Sequence, residues 1–115
     1  MCEFIKNIEP KKVFKLQDLV DYKENGIDAF SIVQRKSLIM KIMVIDCNVT
    51  VPKHPIGGDS LSYLLEGKAE ITLNDDKKYI LSVGDALLIP SKSEPLLKGI
   101  EKTKILLIQV RDELK

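Results

Sequence analysis

One histidine and two cysteines are all that this chain of 115 residues offers by way of soft metal ligands. Each shortage removes a class of function. Cys2 and Cys47 stand far apart, without the paired spacing of a zinc site, and are expected to be free thiols in a reducing cytosol. His54 is the single imidazole. No apolar run approaches the roughly 18 residues that a membrane span needs. The opening Met1-Cys-Glu-Phe-Ile-Lys6 carries an early acid and no apolar h-region, so a signal peptide is not expected. Excess charge is missing as well. There are 18 Lys plus Arg against 17 Asp plus Glu, mostly lysine, with no basic stripe and no basic residues interleaved with aromatics. Nucleic acid is therefore not the expected partner. Repeats, low-complexity tracts and linkers are also lacking. The expectation is a single cytoplasmic domain over residues 1–115, with a core of about 27–110 and an N-terminal arm of 1–26, large enough to bury one core without disulfides.

What is present is a succession of short apolar stretches punctuated by turn residues. Val13-Phe14 suggests a short strand. Leu16, Leu19 and Val20 follow the i, i+3, i+4 spacing of one helical turn within 16–22. Asn25-Gly26 marks a turn, because both residues accept positive φ. Strands are then expected over 27–35, 38–45, 61–66, 68–74, 78–81, 86–89, 96–100 and 104–110. The stretch 38–45 is apolar on both faces apart from Lys41, so both faces should be covered. In 68–74 the alternation is clean, with Lys68, Glu70 and Thr72 on one side and Ala69, Ile71 and Leu73 on the other. Pro52 and Pro55 keep the segment around His54 out of any central strand. About nine strands with turns every 6–12 residues and almost no helix describe an all-β antiparallel barrel or jelly roll; a two-layer sandwich fits the periodicity equally well.

The phrases Tyr63-Leu-Leu-Glu-Gly-Lys-Ala-Glu-Ile71, Tyr79-Ile-Leu-Ser-Val-Gly-Asp-Ala86 and Gly84-Asp-Ala-Leu-Leu-Ile-Pro90 resemble the cupins, specifically the small single-domain cupin-2 group. The resemblance covers roughly residues 38–110. It implies a conserved barrel whose first motif, G-x5-H-x-H-x(3,4)-E-x6-G, and second motif, G-x5-P-x-G-x2-H-x3-N, supply a metal site. Gly67, Gly84, Asp85 and Pro90 fall in register. The ligands do not. The first histidine falls on His54, but the second falls on Ile56, the glutamate on Ser60 and the second motif's histidine on Pro95. Asn48 stands for the opening glycine and Lys92 for the glycine after the proline. Isoleucine and proline donate nothing, and a serine hydroxyl is a poor ligand at neutral pH. A stable divalent site takes at least three protein ligands. The expectation is therefore a degenerate metal site and no cofactor, with at most a weak or adventitious divalent ion at His54.

Asp59 adjoins Ser60, but one step along a strand turns a side chain to the other face unless a bulge intervenes. His54 at the barrel mouth, with Ile56, Ser60, Ser62, Leu64 and Leu88, forms the expected ligand cavity. Its partner is expected to be an unidentified small molecule, bound or sensed rather than turned over. The alternative is a cupin-type enzyme: a metal-independent isomerase or epimerase with His54 as base, or a metal-dependent oxygenase with an atypical site. Proton transfer beside a carbonyl usually needs both an acid and a base, and no second ionisable side chain is evident at the cavity. Leu61, Tyr63 and Leu65 make the other face of that strand apolar. Such a face calls for a cover, and a homodimer is expected, with Val13-Phe14 a candidate for exchange between subunits.

Overall fold

The computed structural model describes residues 4–53, 56–74 and 76–111. His54 therefore lies outside the described residues, as does Cys2. Nine strands form two antiparallel sheets. They are β1 (Ile27–Gln34), β2 (Leu38–Ile45), β3 (Thr50–Val51), β4 (Asp59–Glu66), β5 (Lys68–Thr72), β6 (Lys78–Ser82), β7 (Ala86–Ile89), β8 (Leu96–Gly99) and β9 (Thr103–Val110). One sheet has the order β1-β2-β9-β4-β7 and the other β3-β8-β5-β6, with every pairing antiparallel. The two sheets face each other as a jelly-roll barrel. That choice between barrel and open sandwich was invisible in the periodicity.

The strand total matches the expectation through two compensating differences. Val13-Phe14 is not a strand: Val13 is fully exposed, and the segment has no sheet partner. The added strand, β3, is only two residues long, too short to leave a periodic signature. It pairs Thr50 with Lys98 and Val51 with Leu97. The helical turn is a single 3₁₀ turn, Leu16–Leu19, with no side-chain cap; it stops where Val20 becomes extended.

Two apolar clusters hold the molecule together. One fills the barrel and includes Ile45, Leu64, Ala69, Ile71, Leu81 and Ile105. The other lies on the outer surface of the five-stranded sheet, where Ile8, Leu16, Leu19 and Val20 of the arm pack over Ile32, Val33, Ile42 and Leu106. This is why β2 is apolar on both faces: Met43 and Ile45 look into the barrel, and Ile42 looks under the arm. Each fully buried side chain such as Ile42 or Ile105 contributes about 1.5–3 kcal/mol of transfer free energy. In β1 a register shift between Ser31 and Val33 breaks the simple alternation, so the neighbours Ile32 and Val33 are both buried.

A polar knot fastens the arm to the sheet. Lys104 is buried, donates to the Gln17 carbonyl at 2.5 Å, and lies 3.5 Å from the Glu66 carboxylate. Tyr22 donates its hydroxyl to Glu66 Oε2 at 2.9 Å, and its ring sits under the Lys104 ammonium at 5.0 Å. Burial first, and then the hydrogen bond to Glu66, push the Tyr22 phenol well above its ordinary pKa.

Glycine is required at Gly67. Its φ is +88°, and a Cβ there would fall 1.9 Å from the Lys102 carbonyl oxygen. Asn48 and Lys92, which stand where the resemblance puts glycines, also have positive φ, at 64° and 71°. Both positions thus adopt the left-handed conformation that glycine takes readily.

Candidate functional site

A cavity of about 70 Å³ lies between the sheets. Its construction follows from strand register. In the five-stranded sheet Lys41 pairs with Leu107, Leu107 with Ser62, and Ser62 with Leu87, so these four form one inward row. A neighbouring inward row runs Gln109–Ser60–Ile89. The next row in the opposite direction, Met43–Ile105–Leu64, closes the base, with Ile105 and Leu64 fully buried. Facing it in the other sheet is Val51–Leu97–Ile71. All three of those line the cavity and all are apolar. Among the described lining residues every polar side chain, namely Lys41, Ser60, Ser62 and Gln109, belongs to the five-stranded sheet. The cavity therefore has one polar wall and one apolar wall.

Ser62 is 1 % exposed, and its hydroxyl makes no hydrogen bond with any described protein group. A buried hydroxyl without a partner costs roughly 1–3 kcal/mol. The cavity that Ser62 lines has room for such a partner. Gln109 carries the polar wall towards the rim. A Cβ built on Gly57 would lie 3.6 Å from Gln109 Nε2 and 3.7 Å from the Arg111 guanidinium. Arg111 is itself tethered, donating from Nε to the Lys36 carbonyl at 2.8 Å.

Of the residues expected to line the cavity, Ile56, Ser60 and Ser62 do so. Leu64 faces inward but is sealed in the core at the base rather than open to the cavity. Leu88 is misplaced by the expectation. It pairs with Leu61 on the outward row and is 62 % exposed, while its neighbour Ile89, paired with Ser60, takes the inward place. Lys41 and Gln109 were the polar residues missed, beside apolar ones such as Met43, Val51, Ile71, Leu97 and Leu107. Lys41 was legible as the one charge in an apolar strand, and register puts it on the inner row. Gln109 gave no signal, because an isolated glutamine near the end of a strand has no pattern. Cys47 is a free thiol, as expected, and is exposed, with its sulfur 3.3 Å from the Ile100 carbonyl.

The positions at which the resemblance would place metal ligands do converge. Ile56, Ser60 and Pro95 all line the cavity, and the Ile56 N–H donates to the Ser93 carbonyl at 3.3 Å, joining the two loops. Their chemistry does not fit a divalent ion. One hydroxyl among an isoleucine and a proline is no donor set. Asp59 does not compensate: no bulge turns it inward, and its Oδ1 accepts the Ser91 N–H at 2.8 Å on the outside. Among the described residues no three His, Cys, Asp or Glu side chains come together as a metal group.

On the outer surface the arm covers only part of the five-stranded sheet. Leu61 and Tyr63, each 39 % exposed, stand beside Leu88. Among the described residues no helix is long and apolar enough to cross a membrane.

Solved structures share this architecture. A conserved protein of unknown function from Streptococcus pyogenes superposes with a TM-score of 0.91 at 28 % identity, covering 96 % of each chain. A cupin superfamily protein from Desulfitobacterium hafniense follows at 0.89 and 25 % identity, covering 94 % of this chain and 98 % of its own. A cupin-2 conserved barrel domain protein from Leptotrichia buccalis gives 0.78 at 29 % identity; there the match spans 85 % of this chain and 47 % of the other. No protein-family model matches the sequence, and no curated protein does.

Proposed function

We propose that this small cupin barrel binds a small molecule in the cavity between its sheets and does not transform it. The observation that carries the reading is the Ser62 hydroxyl, sealed in the cavity wall with no protein partner among the described residues. Ligand pockets are mostly apolar with a few placed polar groups, and the lining has that composition. Binding is favoured over turnover because Lys41 is the one ionisable side chain among the described lining residues. General acid–base chemistry needs a second such group within reach. The cupin fold alone supports either class.

The test is a thermal-shift screen of common metabolites on the wild type and on Ser62→Ala, with each stabilising compound then followed by proton NMR for conversion. Binding predicts a rise in Tm that Ser62→Ala reduces, with the compound unchanged over hours. Conversion by the wild type that His54→Ala or Lys41→Met abolishes would replace the binding reading with an enzymatic one.

A further inference from the structure

We infer that the cavity is built for a short-chain monocarboxylate, its carboxylate held against Lys41 and Ser62 and its apolar tail against Ile71 and Leu97. The inference rests on the binding reading above and narrows it to a ligand class.

Three features of the cavity lead there. The first is charge. Lys41 lines the cavity, its ammonium makes no hydrogen bond or ion pair with a described residue, and no carboxylate stands among the described lining residues. A lysine on a wall without an acid favours an anion, and the Arg111 guanidinium beside Gly57 adds positive charge near the rim. The second is donor placement. Ser62 lies on the same inward row as Lys41, with only Leu107 between them, and Gln109 is one row nearer the rim. A carboxylate accepts through two oxygens, so it can meet an ammonium and a hydroxyl or amide together. It would supply the partner that Ser62 lacks. The third is the opposite wall, where Val51, Leu97 and Ile71 offer only hydrocarbon. A purely inorganic anion would leave that wall unmatched, and a hydrocarbon would leave the polar wall unmatched. Size sets the length. At roughly 10–15 Å³ per water-sized sphere, the cavity holds about five to seven of them. That suits a chain of a few carbons.

The experiment uses methyl-labelled full-length protein titrated with sodium butyrate, butyramide and inorganic phosphate, read from the methyl signals of Met43, Ile71 and Leu97. Butyrate is expected to shift these signals and to bind about tenfold or more tighter than butyramide, the difference expected for a hydrogen-bonded charge. Phosphate, with charge and no tail, is expected to bind more weakly than butyrate. Lys41→Met should erase the preference for butyrate over butyramide. Ser62→Ala, the smaller change, should weaken butyrate severalfold and serves as the reading should Lys41→Met not fold. Equal binding of butyrate and butyramide overturns the carboxylate and leaves small-molecule binding standing. Equal binding of phosphate overturns the tail. A preference that survives Lys41→Met removes Lys41 from recognition. Silence of all three methyl signals towards every probe overturns the inference, whereas the metabolite screen tests the broader reading independently.

Discussion

Replacing Ser62 by valine should make the protein more stable and less able to bind. Ser62 is 1 % exposed on a cavity wall, its hydroxyl has no described protein partner, and about 70 Å³ of cavity lies before it. Valine exchanges that hydroxyl for two methyl groups. At about 0.8 kcal/mol per buried carbon, the transfer gain is roughly 1.6 kcal/mol. Removing a polar group from the wall adds to this, and the partial hydration of the cavity subtracts from it, so a net gain of about 1–2 kcal/mol is expected. β-Branching favours the strand conformation of β4. For a chain of this size the gain corresponds to a rise in Tm of roughly 4–8 °C. Calorimetry or urea unfolding of ligand-free protein measures it, and the butyrate titration repeated on the variant should show binding weakened at least tenfold. Stability gained where binding is lost is the expected signature of a group retained for function. A fall in stability of 1 kcal/mol or more, in a variant with an intact methyl spectrum, would refute the reasoning: the hydroxyl would then be bonded structurally, or the space before it would not exist.

Four further outcomes follow from other parts of the structure. Gly67→Ala should destabilise by several kcal/mol, because it combines positive φ with a Cβ placed 1.9 Å from the Lys102 carbonyl oxygen; a Tm unchanged within error contradicts this. The backbone N–H groups of Asn25 and Cys47, which bond the Asp46 carboxylate at 2.7 and 2.8 Å, hold its pKa below the ordinary value. Its contribution is therefore complete above the unfolded pKa of about 3.9 and is lost as pH falls through the folded value, so the Tm gap between wild type and Asp46→Asn should narrow below about pH 4. Elemental analysis of untagged protein should find clearly less than one equivalent of zinc, manganese, iron or nickel, and a full equivalent lost on His54→Ala would show a site that the Ile56, Ser60 and Pro95 positions do not suggest. We also propose that the exposed Leu61, Tyr63 and Leu88 patch pairs with a second copy; sedimentation at low micromolar concentration should give a dimer that Tyr63→Asp dissociates, and wild type at the 13.0 kDa chain mass rules it out.

Strands were readable wherever length let the alternation repeat. The bounds of β2 and β7 agree with expectation to the residue, and β5 buries Ala69 and Ile71 while leaving its alternate side chains partly exposed. Failures came where a local rule lacked enough residues to act. Val13-Phe14 has strand-forming side chains but no neighbour to pair with, and strand formation is a property of pairs. Thr50–Val51 succeeds as β3 for the converse reason, since Leu97 and Lys98 stand ready beside it. Apolarity on both faces of β2 announced that something covers the sheet. It could not announce that the arm does so only in part, because coverage depends on where the 3₁₀ turn docks.

The cavity was legible to the extent that parity is legible. Ser60 and Ser62 share a face whatever the register, whereas Leu88 against Ile89 turns on which residue of β7 meets Ser60, and a slip of one residue exchanges the two faces. Lys41 shows the same dependence with larger consequences. Read along β2 alone, a lysine amid apolar residues is a solvated side chain whose stem covers hydrocarbon. Read across the sheet, it is joined through Leu107 to Ser62, and it brings a charge to a cavity where Ile56, Ser60 and Pro95 carry none. The same barrel that places Ile56, Ser60 and Pro95 together without a donor set also gathers Lys41, Ser62 and Gln109 on one wall. The polar side chains of the described lining thus stand on the strands of the five-stranded sheet, whereas Ile56 and Pro95, in the loops, bring none. Strands fix side chains by backbone pairing, so these groups are held more rigidly than loop residues would be, an arrangement suited to the compact ligand proposed above.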